Sequence, residues 1–217
     1  FKVFPGNASV TKGERTDIIS INECLSSDEE QKYIPYFNHL SFSPSGTSFL
    51  FFVVLKEIQS ERWTVKLFVK DLNSGKLTLL EKEERASHYA WKNDNEILVT
   101  LMDDNRHEHY CVFNISEKTK SEIGGDILKS DGHPTFLQGQ ESFISDTYPL
   151  SDDHQELFRF SKEKGKQRLG YVYHDPRGRA DKRCDLHPRL SKSQQLIAID
   201  SLNRKNERSI IVLKAGE

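Results

Sequence analysis

The chain has 217 residues, 35% hydrophobic and 10% aromatic with 13 Phe, enough for a sizeable core. Its formal net charge is −2, and its 31 Lys and Arg are scattered among 33 Asp and Glu, so electrostatics give no case for nucleic acid. No run of eighteen apolar residues exists to span a membrane, and no P-loop, dinucleotide fingerprint, nucleophile elbow or zinc-protease helix occurs.

In chain order, residues 1–36 carry apolar runs at Phe1 to Phe4 and Ile18 to Ile21, then a polar stretch from Asn22 to Lys32. They read as the remnant of a preceding repeat unit plus its connector. A four-fold repeat follows, marked by His39-Leu40-Ser41-Phe42, His88-Tyr89-Ala90-Trp91, His133-Pro134-Thr135-Phe136 and His187-Pro188-Arg189-Leu190. The histidines are spaced by 49 (39 to 88), 45 (88 to 133) and 54 (133 to 187) residues. The units start near 37, 86, 131 and 185.

Each unit reads as β. A large apolar residue stands three after the histidine, expected to be buried between neighbouring units: Phe42, Trp91, Phe136, Leu190. A turn follows, in which Gly46 and Asn95 suit a positive φ, while Gln140 and Gln194 at the matching position depart from that preference. Apolar runs then begin at Phe49, Ile97, Phe143 and Leu196, and again at Val65, Tyr110, Leu157 and Ile210. Three units add a short fourth segment, at Leu77 to Leu80, Ser121 to Ile123 and Arg168 with Leu169. No segment sustains helical spacing over ten residues. The expected fold is all-β: a β-propeller of four-stranded antiparallel blades, about four of them in residues 1–217. The unfinished fourth unit suggests part of a six- or seven-bladed propeller, with a four-bladed closed ring as the alternative.

Equivalent residues of propeller blades sit at one height around one axis, so four distant histidines can converge. Two roles fit them. A residue needed by every blade suits a hydrogen-bonding scaffold. Neutral imidazole is also a common transition-metal ligand, and separate blades can supply the count. As metal ligands His133 and His187 rank before His39 and His88, because their units carry extra polar groups: Asp131, Asp146, Tyr148, Arg183, Asp185, Arg189 and Asp200. Phe52 and Leu101 stand where Asp146 and Asp200 do, and Phe37 and Ala86 where Asp131 and Asp185 do. Acids at strand ends also cap turns. As a site, Arg forks suit uronate carboxylates, an aromatic ring suits a pyranose face, and Asp, His and a metal suit β-elimination. His107 and His109 read as a solvated loop. Cys24, Cys111 and Cys184 lack metal-ligand spacing, and their odd number suits a reducing compartment.

The stretch NHLSFSPSG from Asn38 is close to the P-x-W-S-P-D-G signature of TolB-like propeller repeats. HYAWKNDNEIL from His88, DGHPTF from Asp131, SDTYP from Ser145 and RCDLHPRLS from Arg183 resemble bacterial propellers related to oligogalacturonate lyase. Some of that group are associated with surface polysaccharide biosynthesis. The resemblance covers Tyr36 to Leu213. It implies six or more blades, carbohydrate as the substrate class, and a bacterial cytoplasmic location, with the periplasm open because a leader could precede Phe1. Oligogalacturonate lyase holds a divalent metal by three histidines and a glutamine, a set with no residue-by-residue match here. The lyase activity is therefore not carried over. Three functions remain: a non-catalytic carbohydrate-binding or scaffold propeller, a metal-dependent lyase on acidic oligosaccharides, and a protein-interaction platform. The ligand expected is an acidic oligosaccharide or a protein partner, with a divalent metal such as manganese as the only cofactor considered.

Overall fold

The computed structural model describes residues 17–60, 62–139, 141–173, 183–202 and 207–215. Among the described residues, fifteen strands form four antiparallel sheets, each a meander in chain order. Blade one is β1 (Tyr33–Phe42), β2 (Ser48–Glu57), β3 (Trp63–Asp71) and β4 (Leu77–Glu81). Blade two is β5 (Arg85–Trp91), β6 (Glu96–Met102), β7 (Glu108–Asn114) and β8 (Thr119–Ile123). Blade three is β9 (Thr135–Phe136), β10 (Ser142–Asp146), β11 (His154–Ser161) and β12 (Gly165–Tyr173). Blade four has three described strands, β13 (Arg189–Leu190), β14 (Leu196–Leu202) and β15 (Arg208–Lys214). This is the expected all-β propeller.

A backbone hydrogen bond closes the turn from the inner to the second strand in every blade, over five residues in blades one, three and four and over four in blade two. Ser43 donates its N–H to Ser48, Lys92 to Glu96, Leu137 to Ser142 and Ser191 to Leu196. Gly46, Gly139 and Gln194 take positive φ inside these turns, at 74°, 69° and 61°. Asn95 does not. Its N–H and that of Glu96 instead donate to the Asn93 side chain. Gln140 lies outside the described residues.

The core lies between sheets, because successive side chains of a strand point to opposite faces. Leu50, Phe52 and Val54 of β2 meet Ile97, Val99 and Leu101 of β6. Leu98 and Tyr110 meet Phe143, Phe158 and Phe160. Ile144 and Leu157 meet Leu186, Ile197 and Ile199. The other face of β2, at Phe49, Phe51, Val53 and Leu55, is covered by Ile19, Ile21 and Cys24. That cover is the chain from Ile19 through a 3-10 turn at Ile21–Cys24; the short helix that follows, α1 (Ser27–Lys32), buries none of its residues. Ile18 to Ile21 is thus not strand, and β1 begins at Tyr33, four residues before the expected start of the first unit. The Phe1 to Phe4 run lies outside the described residues.

The residues three after each histidine differ in burial. Trp91, Phe136 and Leu190 are half-buried, whereas Phe42 is 66% exposed. The expectation of inter-blade burial fails for Phe42 because no described sheet packs on that side of β1. Leu40 is exposed with it; Ile34 and Tyr36 are exposed on the opposite face of β1, opposite Lys56 and Val54, and Ile210 and Val212 are exposed at the far end of the set.

Candidate functional site

The four histidines occupy one register. The residue three after each pairs with Phe49, Ile97, Phe143 or Ile197, and the residue two after each pairs one step further on: Ser41 with Leu50, Ala90 with Leu98, Thr135 with Ile144, Arg189 with Ala198. His39 and His88 sit where the ladder slips, between Asn38 and Ser41 and between Ala86 and Tyr89. Such bulges re-aim a side chain. His39 (φ 49°) and His187 (φ 42°) also adopt left-handed backbone, which His tolerates better than most residues.

These geometries bring the imidazoles into a file in blade order. Ring centroids lie 5.7 Å apart for His39 and His88, 4.1 Å for His88 and His133, and 4.2 Å for His133 and His187. All four line one open cleft of about 880 Å³, with Tyr89, Trp91 and Arg189. Tyr148 stands edge-on to His88 and His133. The Arg183 guanidinium lies 4.1 Å over the Tyr148 ring and donates to Asp185 at 2.7 Å. Burial, and then the Asp131 carboxylate, push the Tyr148 phenol up to about 12.

Three of the four rings have a carboxylate on Nδ1. His88 Nδ1 lies 3.0 Å from Asp131, which also accepts from Ser87 and from the Gly132 N–H. His133 Nδ1 lies 3.0 Å from both oxygens of Asp146. His187 Nδ1 lies 3.4 Å from Asp200. His39 faces Phe52 instead. Burial, then repulsion from the neighbouring imidazoles, holds His39 below the usual histidine range. Burial pushes Asp131 and Asp146 up, but hydrogen bonds from His88 and His133 outweigh it and leave both carboxyls below the usual range.

The sequence-predicted residues therefore divide. Arg183, Asp185, His187, Arg189 and Asp200 are solvent-accessible, and Tyr148 partly so. Asp131 and Asp146 are buried and fully engaged within the fold. The residue of blade two that matches Asp146 is Thr100, not Leu101: the His88 N–H donates to Thr100 Oγ1 at 2.9 Å, as the His133 N–H donates to Asp146 at 2.6 Å. The series across the blades is Phe52, Thr100, Asp146, Asp200. Sequence reading also passed over Ser87 and Gly132. A Cβ on Gly132 would collide with the Asp146 carbonyl oxygen and crowd Ser145 Oγ. Away from the cleft, His107 is exposed, and His109 reaches Glu84 at 2.9 Å.

His133, Asp185 and His187 can each offer a ligand atom within 4.8 Å of the others. Metal–ligand bonds of about 2.1 Å place two ligand atoms at most ~4.2 Å apart, so modest side-chain rotation would close the set on one ion. Two imidazoles and a carboxylate suit a first-row transition metal. All three cysteines are unpaired and buried, remote in role from this set.

Four antiparallel sheets, with a histidine in or two residues before each inner strand, define a β-propeller whose four histidines share one cleft. Solved structures of β-propellers share this fold, TolB among them. TolB from Acinetobacter baumannii matches with a TM-score of 0.59 at 13% identity, over 83% of this chain and 41% of that one. The β-propeller domain of the Trilobed protease from Pyrococcus furiosus matches with a TM-score of 0.56 at 9% identity, over 86% and 56%. Pyrococcus horikoshii acylaminoacyl peptidase matches at 0.57 and 10%, over 85% and 32%. The chain thus spans less than two thirds of each, and at these identities the likeness shows the fold alone. No protein-family model and no curated protein matches it. Among the described residues no helix is long and apolar enough to cross a membrane.

Proposed function

We propose that the chain is a ligand-binding, non-catalytic propeller whose axial cleft takes an acidic oligosaccharide, bridged by a divalent metal such as manganese. The observation that supports this most is the convergence of His88, His133 and His187 with a carboxylate on each Nδ1, which leaves Nε2 as the nitrogen not engaged by that carboxylate. A histidine whose second nitrogen is held by a carboxylate is the arrangement of a prepared metal ligand. Arg183 and Arg189 beside the cleft would meet a uronate carboxylate, and Tyr148 would offer a ring edge to the sugar. The association with polysaccharide assembly rests on the sequence resemblance. A second reading, a protein-interaction platform, is supported by the exposed apolar residues Leu40, Phe42, Ile210 and Val212.

Calorimetric titration of the full chain with manganese and with uronate oligosaccharides tests the first reading. Wild type should bind, and a His133→Ala, His187→Ala double variant should bind at least tenfold more weakly. Binding of neither ligand by wild type, or equal binding by the variant, would overturn it.

A further inference from the structure

The Asp146 side chain is 0% exposed, at the inner end of blade three. A carboxylate in that position needs its lone pairs filled, because burying an unpaired charge is costly. They are filled from two blades. Oδ1 accepts the backbone N–H of His133 at 2.6 Å and lies 3.0 Å from His133 Nδ1. Oδ2 lies 3.0 Å from the same Nδ1 and accepts the backbone N–H groups of Leu186 and His187 at 3.1 and 3.2 Å. One carboxylate therefore holds the ring of one histidine and the backbone turn that carries the next. Asp131 differs: it holds the His88 ring and its own Gly132, and no second imidazole-bearing turn. Asp146 has no oxygen left for a ligand.

We propose that Asp146 is the positioning residue of the axial site, fixing His133 as the Nδ1–H tautomer and anchoring the His187 turn so that both Nε2 lone pairs meet the cleft as a preset pair. The consequence for binding rests on the metal-binding reading above; the tautomer does not. An ionised carboxylate accepts only, so the nitrogen facing it must carry a proton, and in the neutral ring the other nitrogen then carries the lone pair. Asparagine cannot replace it. With its oxygen toward His133, its amide N–H₂ faces the Leu186 and His187 donors. Flipped, it donates to His133 Nδ1, which must then give up its proton and leave Nε2–H closed to a metal.

The test is ¹⁵N NMR of the imidazoles, well above the usual imidazole pKa, joined to manganese titration. In wild type His133 should be protonated on Nδ1 and bare on Nε2. Asp146→Asn should shift His133 toward the Nε2–H form or release the His187 turn, with at least tenfold weaker manganese binding. Asp131→Asn should alter His88 and leave the His133 tautomer unchanged. An Nε2–H His133 in wild type overturns the proposal without any variant. So does a folded Asp146→Asn protein with wild-type imidazole spectra or wild-type manganese affinity. If wild type binds no manganese, the metal-binding reading falls, and the spectra still decide the role of Asp146.

Discussion

Gly132 precedes His133 in the lead-in to β9, where the chain passes against the backbone of Asp146. Alanine there has no room, because the obstacle is a backbone carbonyl rather than the end of a flexible side chain. Gly132→Ala should cost about 1–3 kcal/mol, the usual scale of overpacking. It should also displace His133 from Asp146. A thermal melt together with the His133 ¹⁵N spectrum checks both; an unchanged melt and spectrum would show that the strands part easily. The tight approach could be guessed from Asp-Gly-His-Pro only as a turn. Its true cause is a long-range contact that local spacing does not record.

Among the elements, the junction from β4 to β5 links the first two blades through Glu81. Its carboxylate accepts the backbone N–H groups of Lys82, Glu83 and Glu84 and pairs with Lys120 of β8 at 2.8 Å. Burial pushes Glu81 up, but Lys120 and these N–H groups outweigh it and hold the carboxyl below its ordinary value of 4.5. A carboxyl depressed in the folded state adds stability that is complete above its ordinary value and is lost as pH falls below it. Stability should therefore fall in acid through this junction. Glu81→Gln should cost about 1.5–3 kcal/mol at neutral pH, the range for hydrogen bonds to a charged group, and should flatten the acid limb. Denaturant melts across pH measure both, and an unflattened limb would place the acid sensitivity elsewhere.

The same scale shows what the sequence made legible. Apolar runs and turns revealed the strands because each blade is an antiparallel meander with short connections. The histidine period revealed a shared register because a residue at one depth of every blade recurs in sequence. The match of Leu101 to Asp146 failed by one residue, since the turn of blade two closes over four residues, Lys92 to Glu96, where the other blades use five, and a β-strand reverses its faces at each step. The pairing of Asp131 with His88 crosses blades, so nothing within one repeat announces it. For that reason buried Asp131 and Asp146 look, in sequence, like accessible acids such as Asp185 and Asp200.

At the scale of the molecule, three inter-blade cores hold the four sheets in order and bring the inner strands to one cleft. The exposed faces at Phe42 and at Ile210 are what an inter-blade surface presents when no described sheet lies against it. The expectation of a larger ring stays a proposal, resting on those faces and on the resemblance. The central claim is that the histidines of separate blades act as one site. It is tested most directly by manganese-induced broadening of the imidazole ¹⁵N signals in the full chain. The account predicts that sub-stoichiometric manganese broadens His133 and His187 first, His88 next, and leaves His107, His109 and His154 sharp. Broadening confined to those three outer histidines, or none at the axial four, would contradict it.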